Sequence, residues 1–363
     1  MNLDRLEVDH FRILEQVELD LQPGISLFTG PNGAGKTSLL ETTHLLARGK
    51  SFRRGSVESQ IHHAADTLTV RGRFSHQLGT MRVDFAKRRS EPLELQRDRR
   101  RVERVSDMVL AVPLQTFLPD LAELVLGPPQ QRRRWLDIAL LYADPTALQT
   151  MAHYRHVLRQ RNAALRLRQL AQLDAWDVEM SASATAVTAV RMQCFAAMAE
   201  HVKACVLELC PELEISMSIY SGYGEGEFAV ELAQQRARDV KLSMTHTGPH
   251  RADIRIRIGV SNSLRSGTTA VATRLSQGQA RALAAAFKLG QVRYLKSLGF
   301  ESLLLVDDLG SEWDGAHCDR FLALVRELGS QALCSAVDEA ALPAKWHRRW
   351  ARFRLAQGRL VNP

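Results

Sequence analysis

Gly30-Pro31-Asn32-Gly33-Ala34-Gly35-Lys36-Thr37-Ser38 follows a short apolar run, residues 25–29, and opens onto Leu39-Leu-Glu-Thr-Thr-His-Leu-Leu-Ala47, which reads as a helix. Strand, glycine-rich loop, Lys-Thr and helix is the Walker A order, and every fixed position of that pattern is met. Gly30, Gly33 and Gly35 let the backbone curl so that successive amides point inward at a phosphate, with Pro31, Asn32 and Ala34 completing the turn. The helix beginning near Lys36 adds its unpaired N–H groups and the positive end of its dipole. In this arrangement Lys36 reaches the β- and γ-phosphates, while the Thr37 hydroxyl, next to Ser38, is a ligand for Mg²⁺. The pattern implies a bound nucleoside triphosphate with Mg²⁺.

Working outward, the 363 residues suffice for a large core and about two domains. Their apolar share of 45 % and charged share of 24 % fit an ordinary globular chain. No uncharged run approaches the roughly 18 residues of a membrane span, so no membrane partner is expected. The five cysteines are odd in number and lack metal-type spacing, which fits free thiols in a reducing cytoplasm. Forty-eight basic against 40 acidic residues leave a formal charge of +8, which favours a polyanionic partner. The basic residues cluster at 87–89, 97–101, 132–134, 155–168 and 345–354.

Residues 1–29 read as two alternating strands and the strand that feeds the phosphate loop. Short alternating runs over about 67–105 read as an antiparallel β-layer. Residues 108–115 read as one further strand with Gln115 at its end. From Pro145 to about Cys210 the sequence has neither glycine nor further proline. It predicts two helices of roughly 28 to 35 residues that reverse near 174–177, an antiparallel arm about 40–50 Å long. Leu303-Leu-Leu-Val-Asp-Asp308 has the form of a Walker B strand. Asp307 at its end would contact Mg²⁺ through water, and Asp308 stands where a base for the attacking water is needed. Lys36 and Asp307 must meet although 271 positions separate them. The expected fold is therefore α/β, an ATPase head of mixed sheets flanked by helices. It is split into 1–115 and 245–363, with 116–244 inserted as a mostly helical arm lobe.

Leu275-Ser-Gln-Gly-Gln279 resembles the signature motif of ABC-type ATPases, with Gln277 where glycine is commoner. Ser276 can cap the following helix, and Gly278, beside Gln279, allows close backbone approach to a phosphate. The resemblance implies that the signature of one subunit touches the γ-phosphate held by its partner's Walker A. Residues 311–314, ending in Asp314, resemble the D-loop that follows a Walker B, and Gln115 resembles the Q-loop glutamine near the metal and the attacking water. Such ATPases usually carry a switch histidine after the next strand. Residues 331–338 have none, which leaves Ser335 as the candidate stand-in and implies slow turnover.

The chain as a whole resembles the RecF family, bacterial recombination and gap-repair ATPases related to the SMC proteins. The resemblance runs nearly end to end and rests on Asp9-His-Phe-Arg12, residues 30–40 continuing to Gly49-Lys-Ser-Phe-Arg53, Gly127-Pro-Pro-Gln-Gln-Arg-Arg-Arg-Trp-Leu-Asp137, Thr247-Gly-Pro-His-Arg251, and the 275–279 and 304–308 motifs. It implies an ATP-dependent homodimer that binds DNA, preferring duplex near single-strand gaps and also meeting single-stranded DNA. It further implies action with RecO and RecR to place RecA, and a weak, DNA-stimulated ATPase. Analogy with SMC relatives brings Arg12 to the adenine or a phosphate. Two other readings are an ABC transporter ATPase subunit and an SMC-like structural DNA-bridging protein. The 240 positions between Lys36 and Ser276 exceed what a transporter ATPase needs, and an arm of roughly 65 residues is short for a long coiled coil.

Overall fold

The computed structural model describes residues 1–77, 79–224, 226–259, 269–270, 275–310 and 315–361. The chain divides into two compact units: Met1–Leu121 with Leu295–Pro363, and Ala122–Tyr294.

The first unit opens with the hairpin β1 (Asn2–Phe11) and β2 (Leu14–Asp20), followed by β3 (Ile25–Thr29) and helix α1 (Lys36–Arg48). Strands β4 (Thr67–His76), β5 (Gly79–Arg88), β6 (Glu94–Arg97) and β7 (Arg100–Arg101) come next, then α2 (Val105–Ala111) and β8 (Leu114–Phe117). β1 pairs with both β2 and β4, giving the antiparallel order β2-β1-β4-β5-β6-β7. Its far edge is a two-residue arginine strand, short and charged in the way that discourages further pairing.

Residues 108–115, expected as one strand, divide instead between α2 and β8. Pro113 cannot continue a helix, so the chain leaves α2 there and enters the sheet at Leu114.

The second unit carries α3 (Glu123–Leu126), α4 (Pro129–Ala143), α5 (Ala147–Arg166) and α6 (Leu173–Leu209). After them come β9 (Glu214–Tyr220), α7 (Phe228–Leu242), β10 (Asp253–Gly259), the two-residue β11 (Thr269–Ala270) and α8 (Gln277–Ser297). Along α6 the residues Met180, Ala184, Val187, Arg191, Cys194, Met198, Val202, Cys205 and Leu209 are all buried. Their steps of three and four make one continuous inward stripe. The arm is less symmetric than expected: α5 has 20 residues and α6 has 37. The reversal falls before Leu173, where Arg168 takes a left-handed backbone (φ 55°), so residues 174–177 form the first turn of α6. Leu165 and Leu173 close this turn by packing with Ala164, so tertiary burial rather than a glycine sets the bend.

The sequence put the return to the head at 245. Residues 245–294 lie in the second unit, because β10 pairs antiparallel with β9 along its whole length. The chain resumes the first unit with β12 (Leu303–Val306), α9 (Gly315–Leu328), β13 (Ala332–Ala336), β14 (Ala351–Ala356) and β15 (Arg359–Val361). The resulting sheet has the order β15-β14-β3-β13-β12-β8, parallel except for the β14–β15 hairpin. Both neighbours of β3 thus come from beyond residue 330. Every residue of α1 except Thr37 is buried. A single core joins its Leu39, Leu40, Leu45 and Leu46 to Leu6 and Val70 of the antiparallel sheet and to Phe28, Leu305 and Leu333 of the parallel one.

Candidate nucleotide site

The carboxyl ends of β3, β12 and β13 meet at one edge of the parallel sheet, the place where an open α/β sheet leaves a crevice. A cleft of about 520 Å³ opens there, lined by Arg12, Asn32, Gly33, Gly35, Lys36, Thr37, Ser38, Arg53, Asp307, Asp308 and Ser335 among others. Gly30, Gly33 and Gly35 have φ of 151°, 81° and 107°. At Gly30 a Cβ would stand 2.2 Å from the Leu355 carbonyl oxygen, so a side chain is excluded twice, by conformation and by space.

The Lys36 ammonium folds back to donate to the carbonyls of Gly30 at 2.7 Å and Pro31 at 3.0 Å. Burial lowers its pKa, against the raising influence of Asp308 and Asp307. Ala34 bridges the loop, its N–H donating to the Pro31 carbonyl. The amides of Gly33, Gly35, Lys36 and Thr37 have no carbonyl partner among the described residues, which leaves a cradle of donors at the start of α1. Thr37 Oγ1 donates to Asp307 Oδ1 at 2.9 Å. A hydroxyl and a carboxylate oxygen are hard donors of the kind that would help to hold Mg²⁺ beside a phosphate. Asp307 is buried and Asp308 half-buried, with φ 58° at Asp308.

Gln115 is placed differently from expectation. β8 continues to Phe117, and Gln115 is paired with Leu304, three residues before Asp307. At about 3.3 Å per residue it lies about 10 Å behind the level of Asp307. It is not among the residues lining the cleft, which is met instead by Pro119, two residues beyond the end of β8. Ser276, Gly278 and Gln279 belong to the second unit. Gln279 N–H donates to Ser276 Oγ at 3.2 Å and Ser276 N–H donates to Gln279 Oε1 at 3.1 Å, a reciprocal capping box that opens α8. Gly278 is exposed, and among the described residues the Ser276 hydroxyl is the neighbour within reach of a Cβ. Asp314 and the rest of 311–314 lie outside the described residues.

Two contributors were not legible in sequence. Glu41 is fully buried on α1 one turn beyond Thr37, and it accepts two hydrogen bonds from Arg12 and one from Ser51. Arg53 lines the cleft with its guanidinium 3.8 Å from the same carboxylate. An acidic residue inside a helix next to a phosphate loop is the signal that could have marked the pair.

The basic clusters also separate. Arg99, Arg100 and Arg101 are exposed on the β6–β7 hairpin, whereas Arg132 is buried against Asp253 and Arg161 against Asp177 and Asp239. His250, half-buried and with its neutral form favoured, bridges Tyr154 and the Thr245 carbonyl, so Thr247-Gly-Pro-His-Arg251 is tied into the arm lobe.

The family model for the RecF/RecN/SMC N-terminal domain matches residues 2–350. The DNA replication and repair protein RecF of Shewanella baltica (strain OS185) is 32 % identical over 365 residues, covering 99 % of each chain. The chain belongs to the RecF family. The RecF of Shewanella sp. (strain MR-7) is 31 % identical with the same coverage. Of solved structures, the recombination mediator protein RecF with ATP in the RecFOR pathway matches with a TM-score of 0.82 at 22 % identity, covering 99 % of this chain and 96 % of that one. An Smc head bound to the C-winged helix domain of ScpA matches with a TM-score of 0.65 at 14 % identity, over 99 % and 97 %. These two likenesses show the fold: a RecF and SMC-type ATPase head carrying a helical arm. Among the described residues no helix is long and apolar enough to cross a membrane.

Proposed function

We propose that this RecF-family chain is an ATP-dependent DNA-binding protein of recombinational gap repair, acting as a homodimer that shares ATP between subunits. The observation that carries the reading is the Thr37–Asp307 hydrogen bond beside Lys36, which joins the two halves of a split nucleotide site. Mg²⁺ held by Thr37 and Asp307 would neutralise charge on the phosphates. Lys36 would leave its loop carbonyls for the β- and γ-phosphate oxygens, Arg12 would flank them, and the cradle amides would bind what remains. Asp308 would accept a proton from the attacking water as the terminal phosphoryl group leaves ADP. The signature residues Ser276, Gly278 and Gln279 would complete the site of a second copy. No role in the site is retained for Gln115.

The names of the relatives support DNA repair and replication as the setting and RecO and RecR as partners. Exposed arginines on β7 and its turn suit a polyanion bound largely without regard to sequence. In this reading, ATP binding favours the DNA-bound dimer near single-strand gaps, RecA loading follows, and slow DNA-stimulated hydrolysis releases the protein.

The test is light scattering with ATP-Mg²⁺, with and without gapped DNA, for wild type, Lys36→Arg and Ser276→Arg. Wild type is expected to dimerise with ATP, and Ser276→Arg to keep nucleotide yet stay monomeric. A dimeric, DNA-binding Ser276→Arg would remove the shared-site mechanism.

A further inference from the structure

The left-handed backbone at Asp308 (φ 58°) is costly for a residue with a side chain, and it persists only where the surroundings hold it. What holds it here is Ser335, at the C-terminal part of β13. Ser335 Oγ accepts the Asp308 N–H at 2.9 Å, and the Ser335 carbonyl accepts the Leu309 N–H at 2.7 Å. The same hydroxyl donates its proton to Asp307 Oδ1 at 2.6 Å. Ser335 is only 1 % exposed, so water does not compete for these bonds. Since the hydroxyl has a single proton and that proton is committed to Asp307, its lone pairs face the Asp308 amide. The result is a one-way chain from Asp308 N–H through Ser335 to the Asp307 carboxylate, in which each bond polarises the next.

Burial alone does not produce such a bridge. Ser26, on the neighbouring strand β3, is equally buried, and its hydroxyl has no partner among the described residues.

We infer that Ser335 is a positioning residue for the reaction. It fixes the Asp307 carboxylate that faces Thr37 and locks the turn that presents Asp308 to the cleft. This role rests on the ATPase reading above and deepens it: one hydroxyl registers the metal-side carboxylate against the proton-accepting one.

The experiment compares wild type with Ser335→Ala, Ser335→Thr and Ser335→Cys. Amide hydrogen exchange across residues 306–310 is measured without nucleotide, and kcat and KM for ATP are measured separately. Ser335→Ala is expected to speed exchange of the Asp308 and Leu309 amides. Its kcat should fall roughly ten- to a hundredfold, as for a displacement of about 1 Å at a reacting group, with KM within about twofold. Ser335→Thr, which keeps the hydroxyl, should restore both; Ser335→Cys, of similar size with a weak donor, should not. Unchanged exchange and kcat in Ser335→Ala would overturn the inference, as would a threonine variant no better than alanine. Absence of ATP turnover in wild type would count against the ATPase reading instead, and the exchange measurement, which needs no nucleotide, still decides the role of Ser335.

Discussion

Arg12 donates two parallel hydrogen bonds to Glu41, Nε to Oε2 at 2.8 Å and Nη2 to Oε1 at 2.7 Å, although the two residues belong to a strand-end turn and to the middle of a buried helix. Arg12 itself has φ 54°, so the turn between β1 and β2 is shaped to bring its guanidinium to this point. Removing Arg12 takes two hydrogen bonds from the fully buried Glu41 carboxylate, and a buried charge left uncompensated costs about 3–5 kcal/mol. Arg12→Ala is expected to lower the unfolding free energy measured in urea by up to that amount. A double-mutant cycle with Glu41→Ala should give a coupling of about 1–3 kcal/mol. Independent effects would mean that the pair is not a unit.

The two carbonyls that Lys36 meets, of Gly30 and Pro31, belong to its own loop, so its removal should spare the fold. Lys36→Ala is expected to weaken ATP binding by about 1.5–3 kcal/mol, the worth of hydrogen bonds to a charged group, with little change in melting temperature. Equilibrium titration with ATP-Mg²⁺ checks it, and unchanged affinity would place the phosphates elsewhere.

The terminal hairpin buttresses the phosphate loop. Gly358 N–H donates to the Ala34 carbonyl at 3.0 Å, and a Cβ on Gly358 would lie 1.9 Å from the Ile13 carbonyl oxygen at φ 76°. Gly358→Ala is therefore expected to destabilise by about 2–3 kcal/mol and to weaken nucleotide binding as well. Thermal melts with and without ATP measure both, and a neutral substitution would show that the hairpin is not in register with the loop.

His250 is kept neutral mainly by burial, which lowers its pKa to about 4. Its folded value lies below the ordinary value near 6.5, so the unfolded chain takes up the proton first as pH falls. The associated stability is fully present above pH 6.5 and is lost on descending toward pH 4, about 3 kcal/mol across that window. His250→Gln should flatten this part of the stability profile in denaturant titrations at stepped pH. A profile as steep as wild type would assign the acid sensitivity to other groups.

The capping box at α8 separates structure from ligand binding at the signature. Ser276→Ala removes an N-cap and is expected to cost about 1 kcal/mol, with faster amide exchange at Gln279. If stability is untouched, the reciprocal bonds are not formed in solution.

The sequence alone determined the phosphate loop, the Walker B strand and the family. Gly30, Lys36 and Thr37 announce themselves because a phosphate cradle needs small residues, a cation and a hydroxyl at fixed spacing within one turn. The meeting of Lys36 with Asp307 followed from the chemistry, since one Mg²⁺ needs both ends. What lay beyond local patterning was decided by tertiary structure. Gln115 fell short of the cleft because strand register, set by pairing with Leu304, is invisible in an isolated apolar run. The arm reversed before Leu173 because packing, not a breaker residue, chose the bend. Glu41 looked like one more helix-forming residue until the β1–β2 turn delivered Arg12 to it from 29 positions away. Ser335 acquired its three hydrogen bonds only when β13 was laid between β3 and β12. Short-range chemistry is written in consecutive residues, whereas the partner of a buried polar group is chosen by whichever strand or turn the whole fold brings within about 3 Å.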